Sequence, residues 1–133
     1  MQKFIDITIK PLLIIGGVGT ALAGANAFFP VFAVENIQGI EWVQEYTIFV
    51  QHWGIMVCLM GVFMVAAAFI ESWRVPIMLF SMIEKAFMVF LVSSNAAFSY
   101  SDGFYIPSVM YDIITIYSIL YFIEIIKQNS KQG

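Results

Sequence analysis

Two adjacent ionisable residues, Glu84 and Lys85, fall in the middle of a long apolar stretch. They are the strongest pointer to chemistry in the chain. Counted from Pro76, Glu84 lies ~12 Å along a helix of ordinary rise. A charged side chain that deep in a bilayer costs ~2.5–3.5 kcal/mol even on the lenient insertion scale. Neighbours on a helix do not face each other. One reading makes Glu84 a titrating carboxylate lining an ion, proton or ligand site. The other has it protonated or hydrogen-bonded to another helix, with Lys85 stretching toward the cytoplasmic interface.

A second group comprises Asn26, Gln51, His52, Asn95 and Asp112, each near one end of an apolar stretch. Glu84 and Asn95 are eleven residues apart, with Met88 and Leu91 between and Ser81 nearby. That spacing returns to nearly the same helix face, so a polar seam running from Asn95 down to Glu84 is expected. A His52–Asp112 pair would fix one imidazole tautomer. Proton transfer, metal ligation and plain cohesion between helices all use such a pair. It also supports the reading of a membrane enzyme acting on a lipid or other apolar substrate, with His52 and Asp112 as acid–base groups.

The third pattern is sulfur. His52, Met56, Met60 and Met64 recur every four residues, with Cys58 beside them and Met78, Met82 and Met88 on the next stretch. Thioethers and a thiol are ligands that Cu(I) selects, which makes His52, Met56 and Met60 a candidate metal set. The structural alternative is that methionine fills irregular gaps between helices. A four-residue step also drifts about 40° each time around an ideal helix.

The elements that must position these groups are four apolar stretches, at about 11–29, 46–70, 76–98 and 108–126. Each is near the roughly 20 residues that a bilayer crossing requires. With 61% hydrophobic residues, 11% charged and a mean hydropathy of +0.88, the chain is far from soluble composition. Residues 1–133 read as one all-α domain, an antiparallel four-helix transmembrane bundle, because helices satisfy their own backbone in lipid. The net charge of −3 gives no basic surface for nucleic acid. Phosphate-cradling glycine loops, zinc-type spacings and paired-cysteine motifs are absent from the sequence.

The first stretch is rich in glycine and alanine. Gly16–Thr20–Gly24 and Gly17–Ala21–Ala25 are small-xxx-small series that let another helix approach closely. This face is the expected contact surface for a homo-oligomer or a larger membrane complex. The same region, with Lys3 and Lys10 ahead of Ala23-Gly24-Ala25, also has the outline of a secretory signal; the expectation here is a retained span. Residues 30–45, with Glu35, Glu41 and Glu45 among Phe32, Ile37, Ile40 and Trp42, read as a segment along the membrane surface. Residues 71–76 read as a tight turn, and 99–107, with Asp102-Gly103, as another.

Charge sets the expected orientation. Lys3, Lys10, Arg74, Lys127 and Lys131 flank the stretches on one side, while Glu35, Glu41, Glu45 and Asp102 occupy the opposite loops. Basic loops stay cytoplasmic, so both termini and the turn after Glu71 are expected there, in a cell inner membrane. The cofactor, if any, is not legible.

Size, four spans, cytoplasmic termini, the His52-Trp53-Gly54 entry to the second span, the Arg74-Val75-Pro76 turn and Glu84-Lys85 together resemble small four-helix bacterial membrane proteins, the DoxX-like group among them. That resemblance implies a non-enzymatic role. The leading expectation is an accessory subunit or an oligomeric ion- or ligand-handling protein, using Glu84, Lys85, His52, Asp112, Asn95 and Asn26.

Overall fold

The computed structural model describes residues 2–37, 39–94 and 102–132 and is all-helical. Its α-helices are α1 Gln2–Ala23, α2 Pro30–Phe32, α3 Thr47–Phe69, α4 Arg74–Ser94 and α5 Asp102–Gln132. The segments Lys3–Ala27, Gln44–Phe69 and Val109–Ser130 are long and apolar enough to cross a membrane, which marks the chain as a membrane protein. Large apolar side chains point outward along all of them, Ile15, Leu22, Ile48, Phe49 and Ile116 included. A soluble domain would bury such groups.

Helix α1 starts nine residues before Pro11, where the sequence placed the beginning of the span, and it runs through that proline. The reason is its pattern. Ile5, Ile9 and Leu13 recur every four residues and are buried, while Lys3, Asp6 and Lys10 point away. The charges therefore never interrupt the inner stripe. Pro11 itself is on the exposed side. The last turn tightens into a 3-10 helix over Gly24–Ala27.

Helix α5 also exceeds its expected bounds. It begins at Asp102, so residues 102–107 are helical rather than the anticipated turn, and it continues to Gln132 through the anticipated tail. Good helix formers such as Lys127 and Gln128 extend the far end. Asn95 and the rest of the connection before Asp102 lie outside the described residues.

The tightest packing joins α1 to α3. A Cβ built on Gly17 would meet Gly61 O at 2.7 Å, and one on Gly24 would meet Cys58 N at 2.5 Å and Gly54 O at 2.6 Å. Small residues let these two backbones touch, which is how helices gain contact in lipid. The glycine face of α1, expected to be the contact surface for a homo-oligomer or a larger complex, packs against α3 of the same chain. Sequence pattern identifies such a face but not its partner.

Between α3 and α4 lies a single 3-10 turn, Glu71–Trp73. Arg74 reaches back from the start of α4, its Nε donating to Ala67 O (3.2 Å) and its Nη2 to Ala68 O (3.3 Å). Its Nη1 also pairs with Glu71 Oε1 at 3.0 Å. These contacts satisfy carbonyls that the end of α3 leaves without partners. The core that results holds Ile9 and Leu13 of α1, Met60, Met64 and Ala67 of α3, Met78 of α4, and Ile114 and Tyr117 of α5.

Candidate functional site around Lys85

Met78, Ser81 and Lys85 are spaced by three and four residues, and each is essentially inaccessible. They form the inward stripe of α4. Lys85 is among the largest fully buried side chains, with 1% of its surface exposed, whereas the Glu84 side chain retains 27%. The sequence reading had these roles reversed, with the carboxylate inward and the lysine stretching to the interface. The helical phase of Ser81 decides it, since Lys85 lies one full turn from Ser81 and Glu84 lies to one side.

Lys85 Nζ stands 2.5 Å from Glu84 Oε2. The Cβ atoms of the two diverge, but the lysine's four-carbon stem folds back far enough for the charged ends to meet. The contact is a charge pair without aligned hydrogen-bond geometry, so Glu84 Oε2 remains buried with no hydrogen-bond partner. From the opposite side, Lys85 Nζ lies over the Tyr111 ring, 5.0 Å from its centroid. A cation over an aromatic face gains about 2 kcal/mol when desolvated. The site is therefore neutral in sum, with carboxylate and ring holding the ammonium from two directions.

Two cavities adjoin the pair. One, about 100 Å³, is lined by Trp53, Met56, Val57, Met60, Phe80, Glu84 and Lys85. The other, about 80 Å³, is lined by Gly19, Thr20, Ala23, Val57, Lys85, Met110, Tyr111 and Ile114. Ser81 Oγ, Thr115 Oγ1 and Asn26 Nδ2 are also buried without hydrogen-bond partners.

The other expected site residues go elsewhere. Asn26 is buried at the end of α1, and Gln51 Nε2 donates to Ala27 O at 3.3 Å. The Gln51 bond joins the end of α1 to α3. His52 and Asp112 are both exposed, and among the described residues neither side chain makes a hydrogen bond or ion pair with the other. Along the expected Glu84–Asn95 seam Leu91 is exposed, and Asn95 lies outside the described residues. In the sulfur series His52 and Met56 are exposed while Met60 and Met64 are core, so the drift of the four-residue step carries the series from the surface to the interior. Among the described residues no group of three or more His, Cys, Asp or Glu could hold a metal ion.

Sequence reasoning missed Tyr111, Trp53 and Phe80. Matching depths across the stretches would have signalled Tyr111, which precedes Asp112, but not the direction in which it points. A separate cavity of about 410 Å³ opens where the start of α1 meets the α3–α4 turn and the later part of α5, lined by Asp6, Lys10, Glu71, Arg74, Tyr121, Glu124 and Gln128 among others. Leu13, Met64 and Met78, all buried, fall along their helices between the residues that line this cavity and those that line the cavities at Lys85. Comparison with known proteins found no match, whether to a family model, a curated protein or a solved structure.

Proposed function

We propose that this is a non-enzymatic, ligand-handling membrane protein whose working site is the Lys85–Glu84 pair. In this reading all four long helices cross the bilayer as an antiparallel bundle, with both termini and the Glu71–Trp73 turn on the cytoplasmic side of the inner membrane. Helix α4, with 21 residues, has a length of ~31 Å, which matches a hydrocarbon core of about 30 Å. Its two central charges neutralise each other, which removes the main objection to its crossing.

One observation carries the proposal: a lysine with 1% exposure, held beside a carboxylate and an aromatic ring, borders two cavities. A pair kept only for cohesion needs no adjacent space. The buried layer of Leu13, Met64 and Met78 favours binding over conduction. The exposure of His52 and Asp112, with no hydrogen bond or ion pair between them among the described residues, gives the acid–base enzyme reading no support.

Extraction in mild detergent followed by native mass spectrometry tests this. The expected result is a 15.0 kDa chain carrying a lipid-soluble small molecule that is lost from the Lys85→Met/Glu84→Gln double variant. A chain that is always free of such a molecule, or one that retains it in the double variant, overturns the proposal. The same spectra show whether the chain travels alone, as a homo-oligomer or with other subunits.

A further inference from the structure

The cavity on the Trp53 side of the pair has a mouth. Trp53, Met56 and Phe80 are 36%, 53% and 54% exposed, and all three line the cavity that ends on Glu84 and Lys85. It therefore opens sideways between α3 and α4, on a flank made of apolar groups, and not toward either end of the helices. In a bilayer that flank meets acyl chains. Whatever enters there must be soluble in lipid.

The inner end restricts the head group. Glu84 and Lys85 sum to zero charge, so a charged head would bring an uncompensated charge into a low-dielectric interior. Lysine offers donors only, and an ionised carboxylate accepts only. Glu84 Oε2 is in ion contact with Lys85 Nζ without an aligned hydrogen bond; the carboxylate keeps further acceptor sites and the ammonium further donors. A hydroxyl is the smallest group that accepts from one and donates to the other. A carbonyl would serve only Lys85, and an ammonium only Glu84. The volume of about 100 Å³ holds a small head and excludes a large one.

We infer that this cavity takes an uncharged, single-chain amphiphile of the long-chain alcohol class. Its hydroxyl lies against Lys85 and Glu84, and its chain passes out between Trp53, Met56 and Phe80 into the bilayer. The assignment rests on the ligand-handling reading and adds the route of entry and the class of head group.

Tryptophan quenching tests it, because Trp53 stands at the mouth. In a Trp42→Phe/Trp73→Phe background reconstituted in phosphatidylcholine vesicles, the probe is a dodecanol brominated next to its hydroxyl. The expected result is saturable quenching of Trp53. Probes of the same chain with a trimethylammonium or a sulfate head should be at least tenfold weaker. Lys85→Met/Glu84→Gln should leave only the linear quenching of lipid partition. Met56→Phe, an exchange at an exposed position that puts a rigid ring at the mouth, should weaken binding while leaving the fold intact.

Equal, unsaturable quenching by all three probes would overturn the site. Saturable quenching strongest with a charged head would overturn the alcohol assignment. If native mass spectrometry still finds a pair-dependent molecule in either case, the ligand-handling reading stands and only this inference falls.

Discussion

Lys85 closes its ammonium onto Glu84, the residue immediately before it on α4, and of the two it is the lysine that is shut away from the surface. Buried ion pairs behave asymmetrically. Removing one partner strands a charge and costs about 3–5 kcal/mol, while removing both with matched volumes is often neutral. Glu84→Gln strands the inaccessible Lys85, so it should be the more damaging single change, at about 3–5 kcal/mol. Lys85→Met strands a carboxylate that keeps some exposure and should cost less. The double variant should return close to the parent. Thermal unfolding in detergent, followed by circular dichroism, reads all three; strictly additive losses would show that the two side chains do not interact.

Glycines in α1 and α3 should separate into two classes. A Cβ on Gly61 would press on the backbone of Ala21 and Gly17, and backbone cannot yield without moving a helix. Gly61→Ala should therefore destabilise by about 1–3 kcal/mol, as overpacking does. At Gly19 the obstacle is the flexible end of Met110, and alanine improves helix propensity by about 1 kcal/mol. Gly19→Ala should be neutral or mildly stabilising by the same melts.

Arg74 should matter through geometry as much as charge. Its fork reaches Ala67 O, Ala68 O and Glu71, and a cation at a helix C-terminus contributes up to ~2 kcal/mol in partly buried settings. Arg74→Ala should lose about that much. Arg74→Lys should recover part of it, because an ammonium keeps the charge but cannot reproduce the fork. Hydrogen exchange at the end of α3 should rise in the same order.

Sidedness can be measured directly. In a Cys58→Ala background, a membrane-impermeant thiol reagent added to intact cells should label Glu41→Cys. Gln128→Cys should react only after permeabilisation. The reverse pattern would invert the orientation that the basic residues predict.

His52 and Asp112 should prove independent of each other. Each faces outward, so alanine at either should change stability by no more than about 0.5 kcal/mol. The double variant should be additive within about 0.3–0.5 kcal/mol. A coupling energy above 1 kcal/mol in the melts would revive the acid–base pair.

Much of this architecture was written in the linear chain. Runs of apolar residues long enough for a bilayer identify the helices lying in lipid, because an unsatisfied backbone there is too costly for any other local structure. The small-residue series in α1 and the turn before Arg74 were legible for the same reason: each is a local constraint. The ends of α1 and α5 were not. Charged residues at Lys3, Asp6 and Lys10 were read as leaving the span, when they only decorate the outer side of a helix whose inner stripe of Ile5, Ile9 and Leu13 continues unbroken.

What needed three dimensions was direction. The sequence put two opposite charges side by side at mid-helix and showed that burying them demands compensation. It could not say which of the pair points inward, because that depends on the rotation of α4 about its own axis, set by Met78 and Ser81 packing against the rest of the fold. The same rotation problem turned His52 and Asp112 outward, split the methionine series, and brought Tyr111 over Lys85 from a helix distant in sequence. Helical periodicity fixes which residues share a face; only contact between helices chooses which face is inside.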